Sequence, residues 1–148
     1  MSTYTQTCYH IVFSTKSRAP ALRANRRPDL FRYIWGMLKN RGSHLYRING
    51  ADDHVHILTS LHPSESLASL VKDIKTGASH WIKENSVFAR FSHWQDGYAA
   101  FTHCRQEIES LIEYIKAQEE HHRRTTFVEE YRKLLKDAGI EFDERYLQ

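Results

Sequence analysis

Two cysteines in 148 residues are too few for a disulfide framework, and Cys8 and Cys104 read as small apolar residues of a reducing compartment. No apolar run is longer than a few residues, so no segment is expected to cross a bilayer. The opening MSTYTQTCYH lacks the basic-then-apolar order of a signal peptide, and a cytoplasmic protein is the expectation. Internal repeats, linkers and low-complexity segments are missing as well, which leaves residues 1–148 as a single domain. At 41% hydrophobic and 26% charged residues the composition is globular and excludes a disordered chain.

Acid is what the N-terminal third lacks. Residues 1–50 hold nine basic side chains (Lys16, Arg18, Arg23, Arg26, Arg27, Arg32, Lys39, Arg41 and Arg47) against Asp29 alone, whereas the remainder holds twelve against seventeen. Such a segment suits either a solvated face or a surface for phosphates.

The hydrophobic periods predict the elements. TCYHIVFS (residues 7–14) mixes β-branched and aromatic residues and predicts a first strand, followed by an arginine-rich connection. Pro28 fits the first turn of a helix whose Phe31, Ile34, Trp35 and Leu38 recur at helical spacing, with Gly42 as its stop. SHLYRING and HVHILTSL, joined by NGADD, predict an antiparallel hairpin. A second helix carries Leu67, Leu70, Val71, Ile74, Ala78, Trp81 and Ile82 on one stripe, with Ser64 or Ser66 as N-cap. SHWQDGYAAFTHC predicts a fourth strand, RQEIESLIEYIKAQEEHH a third helix, and Thr126 with Glu129 the capping box of a last helix that ends at Gly139. The order β α β β α β followed by two helices predicts an α+β fold, a ferredoxin-like four-stranded antiparallel sheet with helices on one face plus C-terminal helices. That fold hosts many functions, so function has to come from particular residues.

Side chains alternate along a strand, so His54 and His56 of HVHILT point to the same side. An H-x-H pair supplies two ligands of a metal ion from a stiff scaffold, although strand histidines that only hydrogen-bond fit the pattern too. On the third helix Tyr114 and Gln118 lie four residues apart, with His121 another turn along, at the edge of the Ile108, Leu111, Ile112 and Ile115 stripe. By spacing alone this row is equally a half-buried aromatic beside a surface amide. Asp52 and Asp53 precede the histidines either as turn formers or as groups that orient them.

HVHILTSLHP together with YIKAQEEHH resembles the small single-tyrosine transposases of the HUH superfamily, the IS200-like group that includes the repeat-associated tyrosine transposases. The resemblance extends over nearly the whole chain, through HIVFSTKSRAP, DGYAAFTHC and FVEEYRKLLKDAGIEFDERYL. It implies a metal-dependent enzyme that cleaves and rejoins single-stranded DNA at hairpins through a 5′-phosphotyrosine. His54 and His56 would bind Mg²⁺ or Mn²⁺, Gln118 would supply the third ligand, and Tyr114 on a C-terminal helix would be the nucleophile. It also implies a homodimer in which the tyrosine helix of one protomer completes the site of its partner. Candidate DNA contacts are Lys16, Arg18, Lys72, Lys75, His121 and His122. Two rival classes remain at this stage: a non-catalytic ferredoxin-like nucleic-acid-binding module, and a fold stabilised by Zn²⁺ on Cys8, His10, His54 and His56.

Overall fold

The computed structural model describes residues 2–147. Its elements are β1 (Tyr9–Ser14), α1 (Arg27–Asn40), β2 (Leu45–Gly50), β3 (His54–Thr59), α2 (Leu67–Glu84), β4 (Ala99–Thr102), α3 (Ile108–Lys116), α4 (Gln118–Arg124) and α5 (Phe127–Asp137). The four strands pair antiparallel in the order β2-β3-β1-β4, the ferredoxin-like arrangement expected from the element order.

Alternation along the two central strands sorts the rest of the molecule into layers. Ile11 and Phe13 of β1, with Val55 and Ile57 of β3, face α1 and α2 and form the main core with Leu30, Ile34, Leu38, Leu70, Ile74 and Ile82. The opposite face is covered by the C-terminal helices. There Cys8 and Leu58 pack on Ile108 and Ile115, while Val12, Ala99 and Phe101 pack on Phe127 and Leu135. Every residue of β3 is buried, so the strand has no solvent-facing side. Among the described residues no helix is long and apolar enough to cross a membrane.

The elements differ from the sequence reading in three informative places. Leu30, not Phe31, joins Ile34 and Leu38 in the buried stripe of α1, and Trp35 is left 49% exposed beneath the Lys39 ammonium. The fourth strand shrinks to Ala99–Thr102; upstream of it Trp94 keeps only a single antiparallel bridge to Thr15 and packs edge-on against Phe13 and Phe91, and the chain turns through Gly97 before the strand begins. The third helix is broken at Ala117, whose φ of −90° and ψ of 15° divide it into α3 and α4. The cause of the break lies on β2: the Asn49 amide donates to the carbonyls of Ile115 and Lys116 at 3.1 and 3.0 Å, capping α3 where a continuous helix would have used those acceptors.

Thr126 caps α5 as expected, accepting from the Glu129 N–H at 3.2 Å, but the Glu129 carboxylate accepts from the Thr126 hydroxyl instead of the Thr126 N–H, so the reciprocal half of the capping box is not made; Gly139 follows the helix at a φ of 71°. Ser66 is the N-cap of α2.

The β2–β3 hairpin closes through a tight approach. Gly50 lies opposite Val55, and the Ala51 N–H donates to the His54 carbonyl at 3.1 Å. A Cβ at Gly50 would sit 2.2 Å from that same carbonyl oxygen, a clash with backbone that no side-chain rotation relieves. Gly50→Ala should therefore cost about 1–3 kcal/mol, the range for forced overpacking. The check is the urea midpoint, where an unchanged value would show that the hairpin tolerates a side chain here.

Candidate active site

The second face of the sheet carries His54 and His56 inward, both fully buried, and β1 adds His10 at 1% exposure beside them. Asp53 Oδ1 lies 2.7 Å from His54 Nδ1. A carboxylate only accepts, so Nδ1 carries the proton and Nε2 points into the site. His56 Nδ1 is 2.7 Å from His10 Nε2, the two rings being stacked with centroids 5.0 Å apart, and His56 Nε2 also faces the site. Burial lowers the affinity of His56 for a second proton, and burial together with the neighbouring His56 lowers that of His10 well below the usual histidine range.

Gln118, at the first position of α4, is completely buried and places its Oε1 3.0 Å from His54 Nε2. Its amide nitrogen donates to Glu130 Oε2 at 3.0 Å, which fixes the orientation of the side chain. Tyr114, in the last turn of α3, donates its hydroxyl hydrogen to the same carboxylate oxygen. Burial, reinforced by the Glu130 charge, pushes the Tyr114 hydroxyl well above the usual tyrosine range, so it is protonated in this arrangement.

Glu130 was not singled out by the sequence. It stands on α5 at 4% exposure, with Oε1 3.2 Å from His56 Nε2 and 3.5 Å from His54 Nε2. Burial works against its charge, but hydrogen bonds from His56, Tyr114 and Gln118 outweigh that and hold its carboxyl well below the usual range. A signal for it did exist. In FVEEYRKLL, Glu130 falls in the stripe of Phe127, Tyr131 and Leu134 that packs inward, where a carboxylate has no place without partners.

Four atoms able to ligate a metal, His54 Nε2, His56 Nε2, Gln118 Oε1 and Glu130 Oε1, thus converge on one space, His56 Nε2 once it gives up the proton it shares with Glu130. With His54 neutral, two acceptors oppose each other at 3.0 Å, an arrangement that a cation between them relieves. Imidazole nitrogens with amide and carboxylate oxygens fit a divalent ion of the Mn²⁺ or Mg²⁺ type. Within the described residues the groups able to hold a metal are His54, His56 and Glu130, and, sharing His54, Asp53 and His122. Cys8 belongs to neither, packing instead with Leu58, Ile108 and Ile115, so the zinc set of Cys8, His10, His54 and His56 does not assemble.

The structure divides the remaining candidates. His121 reaches Glu130 Oε2 at 3.3 Å, and His122 stands 3.9 Å from Asp53 Oδ1, so both border the site. Arg18 shares a surface cleft with Asp53 and His122 and donates to the Leu147 carbonyl, while the neighbouring Lys16 is exposed. Lys72 and Lys75 lie on α2, in the layer across the sheet, and the Lys75 ammonium is held by the carbonyls of Gln95 and Gly97. Asp53 and Asp52 do more than form a turn. Asp53 orients His54, and Asp52 pairs with the buried Arg27, which also binds Glu119 of α4. Arg26, Arg32 and Arg41 likewise pair with acids, so part of the basic N-terminal third is neutralised within the fold.

Tyr114 and Gln118 meet the histidines of their own chain.

Comparison with known proteins agrees with this picture. The family described as "Transposase IS200 like" matches residues 3–118. Among solved structures, an inferred transposase from Deinococcus radiodurans R1 superposes with a TM-score of 0.61 at 19% identity, covering 80% of this chain and 95% of that one. A REP-associated tyrosine transposase bound to a REP hairpin superposes with a TM-score of 0.59 at 15% identity, covering 79% of this chain and 72% of that one. At such identities these likenesses speak for the fold. No curated protein matches the sequence. The family match spans most of the chain and contains the H-x-H pair, the tyrosine and the glutamine described above, and the chain belongs to the IS200-like transposase family.

Proposed function

We propose that the chain is a metal-dependent, HUH-type transposase that cleaves and rejoins single-stranded DNA through a 5′-phosphotyrosine on Tyr114, acting on DNA hairpins. The observation that carries this reading is the convergence of Tyr114 and Gln118 with His54 and His56 within one chain, around one buried cluster of atoms able to ligate a metal. The hairpin as substrate is suggested by the structural neighbour bound to a REP hairpin.

His54, His56 and Gln118 would hold a divalent ion such as Mg²⁺ or Mn²⁺, which when bound supplies the positive charge that a phosphodiester needs to accept a nucleophile. Asp53 and His10 keep the two imidazoles turned with Nε2 inward, so the ligand atoms are placed before any ion arrives. Tyr114 Oη attacks the phosphorus, the bond to the 3′ oxygen breaks, and that oxygen leaves as a hydroxyl. The 5′ side of the strand is then esterified to Tyr114. The tyrosine proton has to leave for this step, and Glu130 Oε2, which already accepts its hydrogen bond, is the group placed to take it and to give it up to the departing 3′ oxygen. Because the phosphotyrosine keeps the bond energy, attack by a 3′ hydroxyl reverses the step and rejoins strands with no nucleotide cofactor.

A cleft of about 660 Å³ lined by His10, Phe101, His103, Leu111 and Tyr114 opens beside the nucleophile and offers the strand a route to it. The assembly we favour is a homodimer in which each protomer has its own complete site. The half-exposed Trp35, beside the outer edge of β2, supports an association of that kind.

Tyr114→Phe removes only the hydroxyl, so strand cleavage should fall by about 10³-fold or more while hairpin binding persists. Denaturing electrophoresis of a hairpin oligonucleotide incubated with Mn²⁺ reads this directly, since the wild type leaves a slower covalent species and the variant leaves none. His54→Ala, His56→Ala and chelation by EDTA should each abolish the adduct; an adduct formed in EDTA would remove the metal from the mechanism. Hairpin affinity should drop at least about a hundredfold between roughly 50 and 200 mM salt through counterion release. It should also exceed affinity for a duplex of equal length, and equal binding to the two would remove the hairpin as the substrate. Mixing Tyr114→Phe and His56→Ala chains under conditions of subunit exchange should restore nothing, because no site in the mixture is whole. Recovered cleavage would mean that the site is completed between chains.

A further inference from the structure

We propose that Glu130 is a direct ligand of the divalent ion, so that the metal is held by His54, His56, Gln118 and one carboxylate oxygen of α5. The inference rests on the metal-dependent reading above and extends it to a residue twelve positions beyond the end of the family match.

Geometry is the first ground. Two ligand atoms at right angles on an ion with bonds of about 2.1 Å stand about 3.0 Å apart. The separations here are 3.0 Å for His54 Nε2 to Gln118 Oε1, 3.2 Å for His56 Nε2 to Glu130 Oε1 and 3.5 Å for His54 Nε2 to Glu130 Oε1. Glu130 therefore stands among the histidine and glutamine atoms at the spacing of neighbouring ligands.

Charge is the second. A carboxylate at 4% exposure needs a positive partner, and among the described residues neither a lysine nor an arginine pairs with Glu130; its ion-pair partners are His54, His56 and His121. Two neutral imidazoles and an amide carry no charge with which to attract Mg²⁺ or Mn²⁺, hard ions that favour anionic oxygen. Glu130 supplies that missing charge at the bottom of the site.

The two oxygens of the carboxylate have different tasks. Oε1 faces the histidines, whereas Oε2 accepts from the Tyr114 hydroxyl and the Gln118 amide. With Oε1 on the ion, one rigid group would fix the distance from the metal to the nucleophile, and α5 would become part of the site instead of a cover over it.

The test is titration of the full chain, free of DNA, with Mn²⁺ alone, followed by calorimetry and by loss of the free-ion signal in electron paramagnetic resonance. The wild type should bind one ion, and Glu130→Gln, which keeps the shape and loses the charge, should bind it at least about tenfold more weakly and lose most of the Mn²⁺-dependent rise in Tm. Should Glu130→Gln fail to fold, Glu130→Asp replaces it; the shortened carboxylate should weaken binding severalfold. Circular dichroism of the metal-free proteins monitors the fold. Mn²⁺ affinity in a folded variant equal to or above that of the wild type overturns the assignment, and if the wild type still forms its covalent DNA adduct the transposase reading stands. Conversely, a tenfold loss of affinity in Glu130→Gln alongside a wild type that makes no adduct supports the ligand and overturns the transposase reading. A wild type that binds no Mn²⁺ overturns both.

Discussion

The molecule depends on β3 being buried on both faces while serving two incompatible environments. Val55 and Ile57 enter the apolar core under α1 and α2, and His54 and His56 enter the opposite layer, where each imidazole nitrogen must find a partner or be left unsatisfied at a cost of about 1–3 kcal/mol. Three of the four do: Asp53 serves Nδ1 of His54, and His10 and Glu130 serve His56, while His54 Nε2 is left facing the Gln118 oxygen, the one position in the cluster that a cation would satisfy. The C-terminal helices thereby supply partners to a strand that could not otherwise be buried, and α3, α4 and α5 each answer to it.

That demand explains features that make little sense one at a time. α3 and α4 form one continuous helix in the hydrophobic pattern, yet the chain breaks at Ala117 because Asn49, opposite His56 across the β2–β3 ladder, takes the last carbonyls of α3. The break leaves Gln118 as the first residue of a new helix, buried and aimed at His54. Arg27 fastens the same region from the other side by joining the start of α1 to Asp52 in the hairpin turn and to Glu119 beside Gln118. A guanidinium that is itself buried but has solvent-exposed partners orients these segments more than it stabilises them, since the Coulomb gain is offset by desolvation.

Much of this was legible in the sequence wherever a local period carries it. The alternation of HVHILT placed two imidazoles on one side, and a spacing of four residues kept Tyr114 and Gln118 on one row even though the helix between them is interrupted. What stayed hidden depends on contacts between distant segments. The acidic pair of α5 offered two carboxylates, and attention fell on Glu129 because capping is a local motif, while Glu130 owes its place to His56, seventy-four residues away. Arg27 likewise counted among surface cations until the fold buried it, and Asp53 stayed open between turn former and orienting group because its partner is a ring whose direction only the packed sheet defines.

The same reasoning bears on the proposal that each chain's tyrosine serves its own histidines. A swap of α3 between two protomers would conserve its apolar contacts, because Ile108 and Ile115 would find the same Cys8 and Leu58 on the partner, so burial alone cannot choose between the arrangements. The connection supports a site within one chain. Arg105–Glu107 is wound into a single 3-10 turn, with the Glu107 carboxylate accepting from the Cys104 N–H at 3.0 Å, and the His103 N–H donates to the Cys8 carbonyl at 3.0 Å, tying the exit of β4 back to its own sheet. Crossing to a partner would require that turn to open, and even fully extended the three residues reach only about 10 Å. The tether is thus both short and already folded, and it starts α3 from β4, at the edge of the sheet beside β1, and lays it back so that Tyr114 at its far end meets His54 and His56 two strands away on β3.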